Sequence, residues 1–468
     1  MKSERTSGNR EFYAIAFGLF LGLAILKFGN PVILDNKITP PASLADFLHD
    51  AWPTHWANWI LWPLAIAGIL LTFGKKPGWC WPATNWLWLL PLMWFGWQLF
   101  SASQTVDAGL TEATLGQFAG CLACYFLGAF LFGRERAMCW LLTGMLAAFT
   151  FCLMRAVDQR LFEFPQNRQM LVEGEHAGWT NFPPELFLEM KREQVIINTN
   201  GVDVANPAIL AKFAKGRVNG TLVYPNALAG AVLLLFPISL VFAFNNTKPL
   251  RPVIRVIVIA LALFLGVAGF FWTGSKLGWL IAMAVGGACL FRLKWPARIK
   301  VAALILILSV GLGIFAIRFH NYFAAGATSA GARFDYWRAA VQTTLNHPVL
   351  GTGPGTFQRP YAQIKSPDAE MARLTHNDYL EQFSDSGIVG GVFYAAWILA
   401  ALVVVGRRIW KCGSPMTCAI FIGLVGWFAQ GVGEFGLYVP ALAWTAFTLL
   451  GGSLGLAGNP IDKPTVAN

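Results

Sequence analysis

The sequence predicts an all-α, polytopic membrane protein of about twelve spanning helices with two long connections on one side of the bilayer. Three observations lead there. First, the 468 residues are 56% hydrophobic and only 13% charged, with mean hydropathy +0.53, whereas a soluble domain carries about a quarter charged residues. Second, apolar stretches near the ~20 residues that cross a bilayer recur along the whole chain. Third, the connections between them alternate in charge. Backbone groups in lipid must pair within their own segment, so these stretches should be helices. The 20 Trp and 37 Phe suit aromatic belts at two interfaces.

In order, candidate spans 12–34, 58–74, 84–101, 114–132 and 137–157 form an N-terminal unit, residues 1–157. The first begins near Glu11 and is long enough to remain as a span; no cleavable leader is evident. The first long connection covers 158–220. Spans 221–244, 253–272, 277–291 and 301–318 form a unit over 221–318, and the second long connection covers 319–386. Spans 387–405, 417–433 and 441–457, with a tail, complete 387–468. Several fall short of the usual length, so neighbouring helices must shield their ends.

Every second connection is short and basic: Lys2, Arg5 and Arg10; Lys75 and Lys76; Arg134 and Arg136; Lys248, Arg251 and Arg255; Arg292, Lys294, Arg298 and Lys300; Arg407, Arg408 and Lys411. The positive-inside rule puts these, and both termini, in the cytoplasm. The long connections then face outward. In the first, Phe182 to Arg192 combines an early proline with apolar residues at helical spacing, which predicts a short helix on the membrane surface. Basic residues spread between spans, not gathered on one soluble face, exclude nucleic acid as the partner of the +11 net charge. Cys121 and Cys124 have redox-motif spacing, but inside a span they read as small packing residues.

Chemistry concentrates in the second long connection. Thr375 followed by Asp378 has capping-box spacing, which predicts a helix start with His376 in its first turn. The positive end of the helix dipole would favour a neutral imidazole, suited to a general base. Arg333, Arg338, Arg217 and Lys276 are cations on the same predicted side. Each alone reads as a headgroup anchor; together they suit a pyrophosphate, whose oxygens match guanidinium groups. Gly351-x-Gly353-x-Gly355 follows no strand and contains Pro354, so it reads as a turn allowing close backbone packing, not a nucleotide loop. No cluster has metal-ligand spacing, and no cofactor is called for.

Three stretches resemble the O-antigen ligase and polymerase (Wzy-C-like) superfamily: Arg217 to Asn226, with Gly220-Thr221 and Pro225-Asn226; Arg333, Trp337, Pro348, Gly351, Gly353 and Phe357; and His376-Asn377 with Leu380-Glu381, then Gly387 to Gly390. The resemblance runs from about Arg217 to Gly391. It implies a GT-C-like, metal-independent, inverting glycosyltransferase in the bacterial inner membrane, with a periplasmic active site. The donor would be a glycan on undecaprenyl pyrophosphate; the acceptor would be lipid A–core, a growing glycan, a protein or another hydroxyl. Carried over by motif, His376 and Arg333 would be catalytic, Lys276, Arg217 and Arg338 would bind pyrophosphate, and Asn377 and Glu381 would support them. Ser275-Lys276 stands where the family often has Ser-Arg, which keeps the charge but loses the planar fork.

A transporter or flippase is the rival from another class. It calls for ionisable residues at mid-membrane and often repeated halves, whereas here span centres are nearly free of charge. A scaffold without activity is the third reading, should Lys276 mark lost donor binding.

The topology is open to cysteine labelling in an otherwise cysteine-free variant. A membrane-impermeant thiol reagent applied from outside should label position 365 and spare position 134. Labelling at 134 alone would reverse the orientation.

Overall fold

The computed structural model describes residues 2–73, 86–324 and 328–458. Lys75, Lys76, the start of the predicted 84–101 span and the tail beyond 458 lie outside the described residues, as do the side chains of Lys2, Arg5 and Lys411. The first half contains helices α1 (Lys2–Lys27), α2 (Leu44–His49), α3 (Thr54–Phe73), α4 (Trp86–Ser101), α5 (Ala108–Leu131), α6 (Glu135–Asp158), α7 (Phe164–His176), α8 (Pro184–Arg192) and α9 (Pro207–Lys215). The second contains α10 (Pro225–Asn246), α11 (Pro252–Thr273), α12 (Lys276–Leu290), α13 (Ala297–Ala324), α14 (Thr328–Asn346), α15 (Gln358–Ile364), α16 (Asp378–Cys412), α17 (Pro415–Gln430) and α18 (Pro440–Gly458).

The protein is a polytopic, essentially all-α membrane protein. Among the described residues 8 helices are long and apolar enough to cross a bilayer, and α12, α17 and α18 are shorter apolar helices. The bundle closes where small residues let backbones meet, the usual device when lipid offers no hydrophobic drive between helices. A Cβ at Gly128 of α5 would fall 2.2 Å from the Thr448 carbonyl oxygen of α18, and one at Gly451 would fall 1.9 Å from that of Tyr125. Trp94, Trp397 and Trp444 fill the interior around this seam.

The first long connection is more ordered than the sequence suggested. Helix α6 does not stop at 158; it passes through a π-helical turn, Gln159–Glu163, into α7. The expected short helix is α8, and Pro183 and Pro184 set its start. Strands β1 (Ile196–Thr199) and β2 (Val202–Ala205) pair antiparallel. The hairpin was not foreseen, although Asn200-Gly201, both at positive φ, is the strongest short hairpin signal in a sequence. Leu171, Trp179, Met190, Ile196 and Ala205 form a small core beneath it.

In the second long connection, α14 leads through the glycine turn to α15 and then to α16. Gly351, Gly353 and Gly355 all take positive φ, and a Cβ at Gly351 would lie 2.3 Å from the Asp385 carbonyl carbon. Asp385 Oδ2 accepts from the Gly355 amide (2.6 Å) and from the Tyr438 hydroxyl (3.1 Å), so the turn is tied to α16 and to the approach of α18. Helix α16 breaks at Ser386 and Gly387, where Gly387 adopts φ +70° against the Val349 carbonyl. The break separates a polar first segment, which follows the cavity-lining His376 in the chain, from the apolar remainder.

Candidate active site

Arg217 precedes α10, pressed against the end of α11. Its Nε donates to the Thr273 carbonyl (2.7 Å) and its Nη2 to Asn226 Oδ1 (2.8 Å). Gly274, at φ +59°, makes room: a Cβ there would sit 3.3 Å from Arg217 Nε. Ser275 caps α12 by accepting from the Gly278 amide (3.2 Å), which puts Lys276 in the first helical turn. A cation is out of place at the positive end of a helix. Its ammonium rests over the Tyr322 ring, 3.6 Å from the centroid, and 5.3 Å from that of Phe319. Arg333 and Tyr336 stand one turn apart on α14 and face the same space.

His376 enters by another route. The helix start lies two residues later than the sequence predicted: Asn377, not Thr375, is the N-cap, and its Oδ1 accepts from the Tyr379 and Leu380 amides (3.0 Å each). His376 is therefore outside the first turn, at φ +51°. Thr375 is held instead by Glu381, whose Oε2 accepts from its amide and hydroxyl. Asn377 and Glu381 thus fix the backbone on both sides of His376 and do not line the cavity. The imidazole lies between Tyr336 (centroids 5.9 Å apart, 26° between planes) and the edge of Phe435 (4.8 Å).

These residues converge on Glu434, which sequence reasoning missed. Its carboxylate is buried between α17 and α18. Arg333 Nη2 and Asn226 Nδ2 (2.7 Å) reach Oε1, while the Tyr224 hydroxyl (2.9 Å) donates to Oε2. His376 Nδ1 stands 3.5 Å from Oε2, at the outer limit of a hydrogen bond and within ion-pair range of a protonated ring. Burial pushes the carboxyl up, but the His376 contact and the Arg333 charge outweigh it and hold Glu434 below the usual glutamate range. One signal was available: Glu434 is the only acidic residue between Asp385 and Asp462, in a short connection between two apolar segments.

Arg217, Lys276, Arg333, His376 and Glu434 line one cavity of about 580 Å³, with Glu370 and Arg373 also on its wall. Arg338 does not line it and is exposed. Five residues beyond Arg333 on one helix, it points about 140° away, so its assignment to pyrophosphate is not supported by this geometry. Besides His376, four cationic and two anionic side chains face the space. A helix N-terminus adds donors for an anion. The arrangement can hold a multiply charged anion beside a base.

Comparison with known proteins gives a family match and a similar relative. Residues 260–395 match the Wzy_C family, described as O-antigen ligase, so an O-antigen ligase domain is present there. It includes Lys276, Arg333 and His376; Arg217 and Glu434 lie outside it. An uncharacterized protein of Haemophilus influenzae is 27% identical over 179 residues, a match covering 33% of this chain and 44% of the relative. The chain therefore spans less than half the length of that relative.

The paired carboxylate predicts a pH response. Glu434 is held below the ordinary glutamate value of 4.5, so its stabilisation is complete above that value and is lost as pH falls through the lower folded one. Thermal melting from neutral to acid pH should show the wild type above Glu434→Gln, by about 3 kcal/mol near neutrality, the low end for breaking a buried pair because Arg333 keeps some solvent. The two should converge below 4.5. Parallel curves throughout would mean that folding leaves the Glu434 pKa unshifted, against the pairing described.

Proposed function

We propose that this protein transfers a glycan from undecaprenyl pyrophosphate to an acceptor hydroxyl at the outer face of a bacterial inner membrane, with O-antigen ligation to lipid A–core as the reaction. One observation carries the reading: three cations and a histidine from four separate segments, two of them 43 positions apart at Arg333 and His376, line a single cavity beside a buried carboxylate. The topology that goes with it has twelve spans in a GT-C-like layout: the eight long helices together with α4, α12, α17 and α18. Both termini are then cytoplasmic and the cavity opens to the periplasm.

In this mechanism Arg217, Lys276 and Arg333 bind the pyrophosphate. The acceptor oxygen attacks the anomeric carbon opposite the leaving group, the carbon–oxygen bond to phosphate breaks, and the departing pyrophosphate takes the electron pair. Negative charge growing on the bridging oxygen is stabilised by cations already in place, a role that costs no reorganisation during reaction. These cations supply the charge that a metal ion would otherwise provide. His376 accepts the hydroxyl proton at Nε2. Glu434 faces Nδ1, fixes the ring and stabilises the imidazolium that forms, as the carboxylate does in other histidine-based sites. Asn377 and Glu381 hold the backbone that carries the ring. The polymerase and protein-glycosylating readings share every one of these steps and differ only in which hydroxyl enters.

The test is transfer by the purified protein from a polyprenyl-pyrophosphate glycan. His376→Ala should lower transfer about a hundred- to ten-thousandfold, the usual effect of removing a general base, with donor binding kept. Lys276→Arg should remain active, and Lys276→Ala should weaken donor binding roughly ten- to hundredfold. Unchanged transfer in His376→Ala would refute the mechanism, and unchanged donor binding in Lys276→Ala would reduce that residue to a membrane anchor.

A further inference from the structure

The carboxyl end of α11 grips two arginines. Arg217 takes the Thr273 carbonyl and lies in the cavity. Arg318 reaches across from α13 to donate to the Phe271 carbonyl (3.2 Å), with its guanidinium 3.9 Å from the centroid of the Phe271 ring. A helix C-terminus attracts cations, so one helix end places two of them. Arg318 does not line the cavity. It sits within electrostatic reach of Arg160, in the π-helical turn that ends α6. The Arg160 guanidinium occupies the space where Gly216 lacks a side chain; a Cβ there would fall 1.6 Å from Arg160 Nη1. Gly216 follows Lys215, which is exposed.

Arg160 and Arg318 therefore lie beside the cavity, outside it, and Lys215 precedes the glycine that Arg160 covers, on the side nearer Lys276. Among the described residues none of the three ion-pairs with a carboxylate: the nearby Asp158 and Glu163 both pair with Arg155. Like charges held together without a counter-charge repel one another, so an anion among them lowers the energy of the arrangement. The surroundings state what kind of anion. Leu161 (52% exposed) and Phe162 (57%) flank Arg160, and Ile317 (82%) flanks Arg318. Cations bordered by exposed apolar side chains at the end of spanning helices match a lipid, with a phosphate among the cations and chains along the apolar surface. We infer that Arg160, Lys215 and Arg318 form a binding site for a phosphate-bearing lipid headgroup, separate from the catalytic cavity. Arg160 is half-buried and Arg318 is fixed at both its ring face and one nitrogen, so the site is held in shape before the lipid arrives. Merely snorkelling side chains would lack that rigidity.

The test is native mass spectrometry of the full-length protein from nanodiscs of phosphatidylcholine with and without phosphatidylglycerol. The wild type should retain phosphatidylglycerol over phosphatidylcholine, R160Q/R318Q should retain roughly tenfold less of it, and R160K/R318K should keep part of the preference. Equal retention of the two lipids by the wild type, or equal retention of phosphatidylglycerol by wild type and R160Q/R318Q, would overturn the site. Its lipid source is read by adding a phosphorylated glycolipid and its dephosphorylated form. Displacement by the first alone supports a lipid acceptor bound by phosphate, and no displacement supports a resident bilayer phospholipid. No readout involves transfer, so this site and the proposed reaction can fail independently.

Discussion

The buried carboxylate of Glu434 is the constraint on which the rest of the cavity depends. A charge removed from water is costly unless it is paired and hydrogen-bonded. Glu434 meets that requirement with four partners from three regions: Tyr224 and Asn226 at the start of α10, Arg333 on α14, and His376 before α16. Its own backbone is pinned as well, since the Asp378 amide donates to the carbonyls of Gly431 (2.7 Å) and Glu434 (3.1 Å). Elements distant in sequence are thus brought to one point because each satisfies part of the same buried charge.

That anchoring leaves charge to spare on the cavity wall. Glu434 offsets one of the cations and keeps Arg333 oriented, while Arg217 and Lys276 face the space with helix-end donors behind them. A site arranged in this way is complementary to a multiply charged anion before one arrives, which is the condition for electrostatic stabilisation of a departing group. The Glu434 side of the cavity carries the histidine, and the α12 side carries Lys276 against Tyr322 and Phe319. The lipid-headgroup site extends the same logic outside the cavity, using the other face of the α11 end.

Much of this was legible in the sequence because membrane constraints are strong. Apolar length locates helices almost without regard to packing: among the described residues 8 long and three shorter apolar helices fall where spans were expected, although α1 ends at Lys27, short of the expected 34. The second long connection stood out because its His, Arg and Gly residues have no place in lipid. What was lost depended on three-dimensional pairing. Thr375 offered a cap, but Glu381 took its hydroxyl and Asn377 capped instead, shifting His376 out of the helix. Arg338 was grouped with Arg333 for its charge, although a spacing of about one and a half turns already sets the two on different helix faces. Glu434 was visible as a lone acid between two apolar segments, yet nothing local says which cations a buried carboxylate will meet from elements a hundred or more residues away. The hairpin carried a clear Asn-Gly signal that an all-helical expectation obscured.

A double-mutant cycle between Arg333 and Glu434 reaches the central claim most directly, using Arg333→Gln, Glu434→Gln and the double variant, with unfolding free energies measured in lipid–detergent micelles. If Glu434 is the shared anchor, the two substitutions are strongly non-additive: the double variant is less destabilised than the sum, with a coupling of about 2 kcal/mol. Additive losses would mean that the two side chains act independently and that the cavity is held together by something else.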